Sequence, residues 1–202
     1  MEPSISTTVF YTLTESPVGE LLLAADETGL RHILFSGGRD PAEPRPEWRP
    51  ASNGLASKED ATLGETIRQL RAWFAGELRE FDLPLAPEGS DFHQRVWREL
   101  CKIPYGETIS YGELARRIGS PNASRAVGRA NGANPIPIVI PCHRVIGGDG
   151  RLTGYGGGLS RKGFLLVLEQ SQMSLSWSKI APDGVPESVS SSNDADATNA
   201  GA

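Results

Sequence analysis

The segment that leads to Cys142 restricts the fold most, because it carries prolines at 135, 137 and 141 within an otherwise apolar run. Each proline fixes its own φ and pushes the preceding residue toward extended geometry. Proline also has no amide hydrogen to give to a sheet, which argues against a central strand. The sequence therefore predicts a rigid, extended, largely buried segment, in a covered loop or at a sheet edge, that delivers Cys142 at its end.

The length of 202 residues leaves room for two domains that each bury a core. No stretch reaches the roughly 18 apolar residues of a membrane span, and the first 13 residues lack the pattern of a signal peptide. We therefore expect a soluble, cytoplasmic protein with no membrane contact. Its two cysteines and three histidines show no zinc-ligand spacing, so we expect reduced thiols, no metal and no cofactor.

Charge is distributed unevenly along the chain. Residues 95–170 hold eleven Lys or Arg against five Asp or Glu, a net charge of +6 in a chain whose total is -5, which leaves -11 for the remainder. A basic middle between acidic flanks is typical of a protein in which one region meets phosphate. The alternative is a solvated basic face without a partner.

The N-terminal part predicts sheet followed by helix. Three short apolar runs, separated by turns that contain glycine, predict a β-meander over residues 9–35. Residues 36–57 carry four prolines and are expected to form an exposed linker of variable conformation. Apolar residues at helical spacing then predict a helix from Lys58 to about Gly76, with its apolar face on the meander.

A second helix is predicted over residues 91–103, with Ser90 or Asp91 as its N-cap. Cys101 lies beside its apolar face, so we expect a packed core thiol rather than a reactive one. The fold class predicted is α+β, with an N-terminal antiparallel β-meander and helix and a mostly helical C-terminal domain. The predicted domains cover residues 5–84 and 88–170, and a disordered tail covers residues 173–202.

Two short helices follow, over residues 110–118 and 123–130, with a tight turn between them. This arrangement predicts a helix-turn-helix, although two packed helices without a ligand have the same pattern. The second helix is unusual for a major-groove reader, because small residues such as Ala126 and Gly128 dominate it and only Arg125 and Arg129 are long. It favours close approach to a nucleic-acid backbone with weak sequence readout.

Cys142 is the candidate nucleophile. A thiol reacts as thiolate, and His143 is the candidate base, although an extended backbone would place the two side chains on opposite faces and require a bridging water. Glu169, near the end of a third helical stretch over residues 162–168, is the candidate acceptor that orients His143; the alternative is a solvated helix end. The glycine-rich loop at 151–159 fits against a flat ligand or is a plain surface loop.

Four stretches together resemble a known family. They are Ile109-Ser110-Tyr111, Ser124-Arg125-Ala126-Val127-Gly128, the segment from Asn134 to Val145 with its Pro141-Cys142-His143-Arg144 run, and Gly154-Tyr155-Gly156-Gly157-Gly158-Leu159. In this order and spacing they resemble the O6-alkylguanine-DNA alkyltransferases. The resemblance is strongest from Phe92 to Glu169, and the N-terminal part is more loosely similar to the ribonuclease-H-like domain of that family.

The resemblance implies a single-turnover repair protein that flips O6-alkylguanine out of duplex DNA from the minor groove, without an obligatory protein partner. It implies that Cys142 accepts the alkyl group, that His143 is the base through a water, and that Glu169 orients His143. Asn134 would brace the active-site turn, and Tyr111 would hydrogen-bond the guanine while Arg125 fills the vacated stack. The DNA-binding residues implied are Arg125, Tyr111, Ser124, Ala123, Ala126, Gly128 and Arg129, and the pocket residues are Tyr155, Gly156, Gly157 and Lys162.

Two departures from the family pattern stand out. Gly156 replaces a hydroxyl residue that some members use at the base, and the N-terminal region lacks the cysteines with which some members bind zinc. Three other readings stay open: a lesion-binding relative that does not transfer the group, a helix-turn-helix regulator, and a cysteine hydrolase built on Cys142, His143 and Glu169.

Overall fold

The computed structural model describes residues 8–37, 42–52 and 58–180, with the backbone alone for 174–180. The architecture is α+β: an N-terminal sheet with one helix, then a mainly helical half. The elements are β1 (Phe10–Thr14), β2 (Leu21–Asp26), β3 (Gly29–Phe35), β4 (Arg49–Pro50), α1 (Lys58–Ala75), α2 (Asp91–Leu100), β5 (Ile109–Ser110), α3 (Tyr111–Arg117), α4 (Ser124–Gly132), a 3-10 turn (Cys142–Arg144), β6 (Val145–Ile146) and α5 (Leu159–Ile180). No helix in the described ranges is both long and apolar enough to cross a membrane.

The predicted meander is confirmed. β1, β2 and β3 pair antiparallel, and β4 adds to β1 in parallel to give the order β3-β2-β1-β4. Every residue of β2 is buried, because α1 covers one face of the sheet and Trp48 the other. Helix α1 presents Leu63, Leu70 and Trp73 to the sheet, and Gly76 ends it with a φ of 78°.

Most described residues of the predicted linker over residues 36–57 are exposed, as expected, but Trp48 is buried and the next two residues form a short strand. Trp48 is buried against Leu22 and Ala24, its ring centroid lies 5.2 Å from that of His32, and the strand that follows it joins the sheet. Burial of the Trp48 ring removes apolar area from water and so stabilises this packing. The sequence did not predict it, because the surrounding prolines indicated a loop.

The helix-turn-helix is confirmed as two packed helices, α3 and α4. Ser110 caps α3 by accepting a hydrogen bond from the amide of Glu113 at 3.1 Å, and Ser90 caps α2 in the same way. The indole of Trp97 donates to the carbonyl of Ala130 at 2.8 Å, which ties α2 to α4.

The two halves share one hydrophobic core. A single cluster includes Leu23 and Trp73 from the N-terminal half and Val96 and Val127 from the C-terminal half. The edge strand β3 also bonds to the proline-containing segment, because the amide of Ile33 donates to the carbonyl of Pro135 at 2.9 Å. The N-terminal sheet therefore supports the segment that carries the cysteine.

Three further expectations are corrected. The segment before Cys142 is a covered loop as predicted, but it turns back instead of running extended, with a bridge between Pro137 and Ile140. Cys101 is exposed, since the helix ends at Leu100 and Cys101 is its C-cap residue. Helix α5 continues to Ile180, so residues 173–180 are helical rather than disordered. Residues 5–7 and 181–202 of the predicted domains and tail lie outside the described residues.

Candidate active site

Cys142 opens the 3-10 turn Cys142–Arg144 and is only 4% exposed. Its thiol lines a pocket, which we call the cysteine pocket. This pocket is lined by residues 33–35 of β3, by Asn131, Gly132, Asn134, Pro137 and Cys142, and by residues 154–157 of the glycine-rich loop. The cysteine is thus sheltered from solvent and yet faces a cavity.

Asn134 closes the turn that presents Cys142. Its side-chain amide donates to the carbonyl of Ile140 at 2.8 Å, and its side-chain oxygen accepts from the amide of Ile136 at 3.0 Å. At the tip of this turn Ile138 has a φ of 75°, a conformation that costs a β-branched residue of the order of 1–3 kcal/mol. Ile138 is buried, so packing holds it in this conformation.

Behind the cysteine, His143, Arg144 and Glu169 form a buried polar cluster. Nε2 of His143 lies 2.9 Å from Oε1 of Glu169, and the Arg144 guanidinium donates to both oxygens of that carboxylate at 2.8–3.1 Å. The amide of Gly106 donates to it as well, at 2.9 Å. Glu169 is completely buried, so the solvated helix end is excluded.

The pKa shifts indicate that the Cys142 thiol and the His143 imidazole are both neutral near pH 7. Burial raises the pKa of Cys142 to about 11, although a hydrogen bond from Asn134 and the charge of Lys162 act in the opposite direction. Burial also lowers the pKa of His143 below its usual 6.5, which the bond to Glu169 only partly offsets. Nδ1 of His143 has no hydrogen-bond partner among the described residues. It is the free position at which the imidazole can take a proton.

Tyr155, Gly156 and Gly157 form one wall of the cysteine pocket. The backbone at Gly157 packs closely against Phe35, and a Cβ at this position would lie 2.8 Å from the Phe35 ring. Arg161 fastens this loop to the N-terminal half, where its guanidinium donates to the carbonyls of Gly157, Val18 and Ser36 at 2.6–3.0 Å.

Lys162 lies beneath the loop and does not line the cysteine pocket. It is fully buried, and its ammonium donates to the carbonyls of Val145 and Thr153 at 2.6 and 2.7 Å. Burial lowers its pKa to about 8. The ring of Tyr111 lies 5.9 Å from the Lys162 nitrogen, and the Tyr111 hydroxyl reaches the carbonyl of Thr153 at 3.5 Å.

The open side of the helix-turn-helix carries a second concavity, the helix groove. It is lined by Tyr111, Arg125, Gly128, Arg129, Gly132, Ala133 and residues 154–156. Arg125 and Arg129 are exposed, whereas Ser124, Ala123 and Ala126 are partly buried. Gly132 and residues 154–156 line both concavities, so the helix groove lies directly beside the cysteine pocket.

Sequence reasoning did not assign Phe35, Asn131, Arg144 or Arg161 to the site. Arg144 stood inside the quoted Pro-Cys-His-Arg run, which was the one available signal. Phe35 and Arg161 gave none, because their roles arise only where the two halves meet. In the described residues, no group of three or more His, Cys, Asp or Glu is arranged to hold a metal ion.

Fold and site together define an α+β protein that holds a buried cysteine behind a helix-turn-helix. Two family models match the chain: the ribonuclease-like domain of 6-O-methylguanine DNA methyltransferase over residues 9–87, and its DNA binding domain over residues 91–171. The chain belongs to this methyltransferase family.

Individual relatives agree. The methylated-DNA--protein-cysteine methyltransferase of Methanosarcina acetivorans is 51% identical over 163 residues, which cover 81% of this chain and 99% of the relative. The Mycobacterium tuberculosis (strain H37Rv) protein of the same name is 49% identical over 165 residues, covering 81% and 94%. The crystal structure of Mycobacterium tuberculosis OGT in complex with DNA is 48% identical, covers 81% of this chain and 94% of that one, and gives a TM-score of 0.72.

Proposed function

We propose that this protein is a DNA repair methyltransferase that moves the methyl group from O6 of guanine in duplex DNA onto its own Cys142. The observation that carries the proposal is that a groove on the helix-turn-helix lies beside the sheltered pocket lined by Cys142, with Gly132 and residues 154–156 common to both. The enzyme class is methylated-DNA–protein-cysteine S-methyltransferase, as its relatives are named.

DNA binding is assigned to the helix groove. Arg125 and Arg129 supply positive charge for phosphate, and the small residues Ala126 and Gly128 let the helix come close to the backbone of the minor groove. A sulfur cannot reach a base inside a duplex, so the damaged nucleotide must rotate out, at a cost of a few kcal/mol. Arg125 stands at the groove where it can fill the vacated stack and offset part of that cost.

Transfer follows from the chemistry of the pocket. The sulfur of Cys142 attacks the methyl carbon, the C–O6 bond breaks, and its electron pair stays on the guanine. The thiol proton passes through a water to Nδ1 of His143, which Glu169 holds in place through Nε2, and a proton returns to a ring nitrogen of the guanine that leaves. Tyr111 donates to the guanine as negative charge accumulates there. The thioether product has no group that water can displace, so each molecule reacts once.

One experiment tests this assignment. The protein is incubated with a duplex that contains one O6-methylguanine, and its proteolytic peptides are weighed. We expect one added methyl group on the Cys142 peptide, stoichiometric repair and no further turnover. The Cys101 peptide is the internal control and stays unmodified, because that thiol lies outside the pocket.

The open alternatives give other results. Repeated turnover indicates a hydrolase, and DNA binding without methyl transfer indicates a lesion-binding protein or a regulator. The Cys142→Ala variant should bind the damaged duplex and leave it unrepaired, whereas Cys101→Ala should repair it normally. The cytoplasmic location and the lack of an obligatory protein partner stay predictions.

A further inference from the structure

Asn131, near the end of α4, is a polar residue of the cysteine pocket that the transfer step does not use. It is 2% exposed, and its side-chain nitrogen donates to the carbonyl of Cys142 at 3.3 Å. Its side-chain oxygen is also buried, and this oxygen has no hydrogen-bond partner among the described residues. The reverse amide orientation would set two oxygens against each other, so the bond to Cys142 fixes the free atom as an acceptor.

A buried acceptor without a partner is costly, and one that lines a ligand pocket is satisfied when the ligand brings a donor. O6-methylguanine has one donor on the edge that carries O6, the amino group at C2, because alkylation leaves N1 without a hydrogen. The O6-methyl group must face the sulfur of Cys142 for transfer. Asn131 lines the same pocket as Cys142 and is bonded to its carbonyl, so a base held there by its O6 edge brings the amino group of that edge into the cavity that Asn131 lines.

We propose that the side-chain oxygen of Asn131 accepts a hydrogen bond from the 2-amino group of the flipped base, and so makes this protein selective for guanine. The inference rests on the proposed function. Asn131 positions no reacting atom in this role; it reads the base. Helix α4 then serves both steps, with Arg125 on the open groove and Asn131 at the buried end of the same helix.

The test compares two duplexes that differ in one group, O6-methylguanine or O6-methylhypoxanthine, which lacks the 2-amino group. Single-turnover methyl transfer is followed for the wild-type protein and for Asn131→Leu, a variant of similar size. We expect the wild type to prefer the guanine substrate by about tenfold, the effect of one buried hydrogen bond, and the variant to show a ratio near one. The exposed Cys101→Ala variant is the matched control and keeps the wild-type ratio.

The ratio separates reading of the base from structural damage. Loss of the bond to the Cys142 carbonyl slows transfer from both substrates by the same factor, so it cancels in the substrate ratio of the variant. A difference in base flipping between the two substrates affects wild type and variant equally, so it cancels when their two ratios are compared. A wild type that repairs the two substrates at equal rates overturns the inference, as does an Asn131→Leu ratio equal to that of the wild type. If Asn131→Leu fails to fold, the inference is tested by the wild-type ratio together with the ratio of the smaller Asn131→Ala variant. Absence of any transfer from O6-methylguanine refutes the proposed function instead.

Discussion

The buried cluster behind Cys142 and the helix groove in front of it are built on opposite principles. In the cluster, Glu169 receives bonds from His143, Arg144 and Gly106 and is shielded from water. In the helix groove, Arg125 and Arg129 are exposed at the helix surface. The interior is organised before any substrate arrives, whereas the surface acquires its partners from DNA.

This difference assigns different physical tasks to the two regions. A buried charge keeps its geometry because losing one partner leaves the other unpaired in a medium of low polarity. An exposed arginine is solvated and screened by salt, so it can exchange water and ions for phosphate. Substitutions inside should therefore change stability and chemistry, and substitutions on the surface should change DNA binding alone.

The largest effect is expected for Glu169→Leu. Removing this carboxylate leaves Arg144 buried without its counter-charge and His143 without its orienting acceptor, which should cost about 3–5 kcal/mol of the free energy of unfolding. Urea unfolding measures this loss of free energy. Glu113→Gln is the matched control, because Glu113 pairs with Arg116 and Arg117 on the surface, and its unfolding midpoint should stay at the wild-type value.

The same variant has a pH signature. Burial raises the pKa of Glu169, but the bonds from His143 and Arg144 outweigh it and hold the pKa below 4.5. A lowered carboxyl pKa stabilises the fold above pH 4.5, and this stability is lost as the pH falls through the folded-state value. The free energy of unfolding of Glu169→Leu should therefore fall less steeply in acid than that of the wild type. The same acid dependence in both proteins would show that Glu169 is not held ionised by His143 and Arg144.

The next largest effect is expected for Gly157→Ala, at the contact between the two halves. Its Cβ would lie 2.8 Å from the ring of Phe35 and 3.0 Å from that of Tyr155, so the loop or the strand must shift, at about 1–3 kcal/mol. Thermal unfolding measures the loss. Gly156→Ala is the control, since a Cβ there meets nothing within 4 Å, and a further Phe35→Leu change should restore part of the stability of Gly157→Ala.

Arg125→Ala should weaken transfer from duplex DNA by about tenfold, because both a phosphate contact and the filling of the vacated stack are lost. Transfer from the free nucleoside O6-methyl-2′-deoxyguanosine, which needs no flipping, should keep the wild-type rate. Arg129→Gln separates the two contributions: it should lower the slope of log affinity against log salt by about one and leave the transfer rate at saturating DNA unchanged. Equal loss on duplex and nucleoside would place Arg125 in the interior chemistry instead.

The smallest change is expected in the pH profile of transfer. If His143 takes the thiol proton during attack, the rate should be nearly flat between pH 6.5 and 8.5, since the pKa of His143 lies below 6.5 and that of Cys142 is about 11. It should fall only in acid, as His143 is protonated. His143→Leu must rely on thiolate formed in advance, so its rate should rise about tenfold per pH unit. A wild-type rate with that same slope refutes the role of His143.

Several features could be predicted from the sequence because they depend on neighbours along the chain. Short apolar runs separated by turns predicted the meander, two short helical stretches with a tight turn predicted the helix-turn-helix, and the Pro-Cys-His-Arg run predicted the candidate nucleophile. The errors come from extending a local pattern too far. The segment before Cys142 was expected to be extended, but burial of Ile138 holds it in a turn, and Trp48 is buried within a stretch that its prolines made look open throughout. Cys101 was placed in the core because the helical pattern was continued to residue 103, whereas the helix ends at Leu100.

The sequence by itself determined most elements, the candidate nucleophile and the basic stretch, since turn chemistry and hydrophobic periodicity act over a few residues. Only the tertiary structure decided what surrounds Cys142. Arg161 and Val18, 143 positions apart, meet because the shared core brings the two halves together, and Arg144 and Glu169, 25 apart, meet because α5 packs against the turn that carries Cys142. The shape of the pocket and the neutral state of its thiol follow from that packing, because burial is a property of the folded whole.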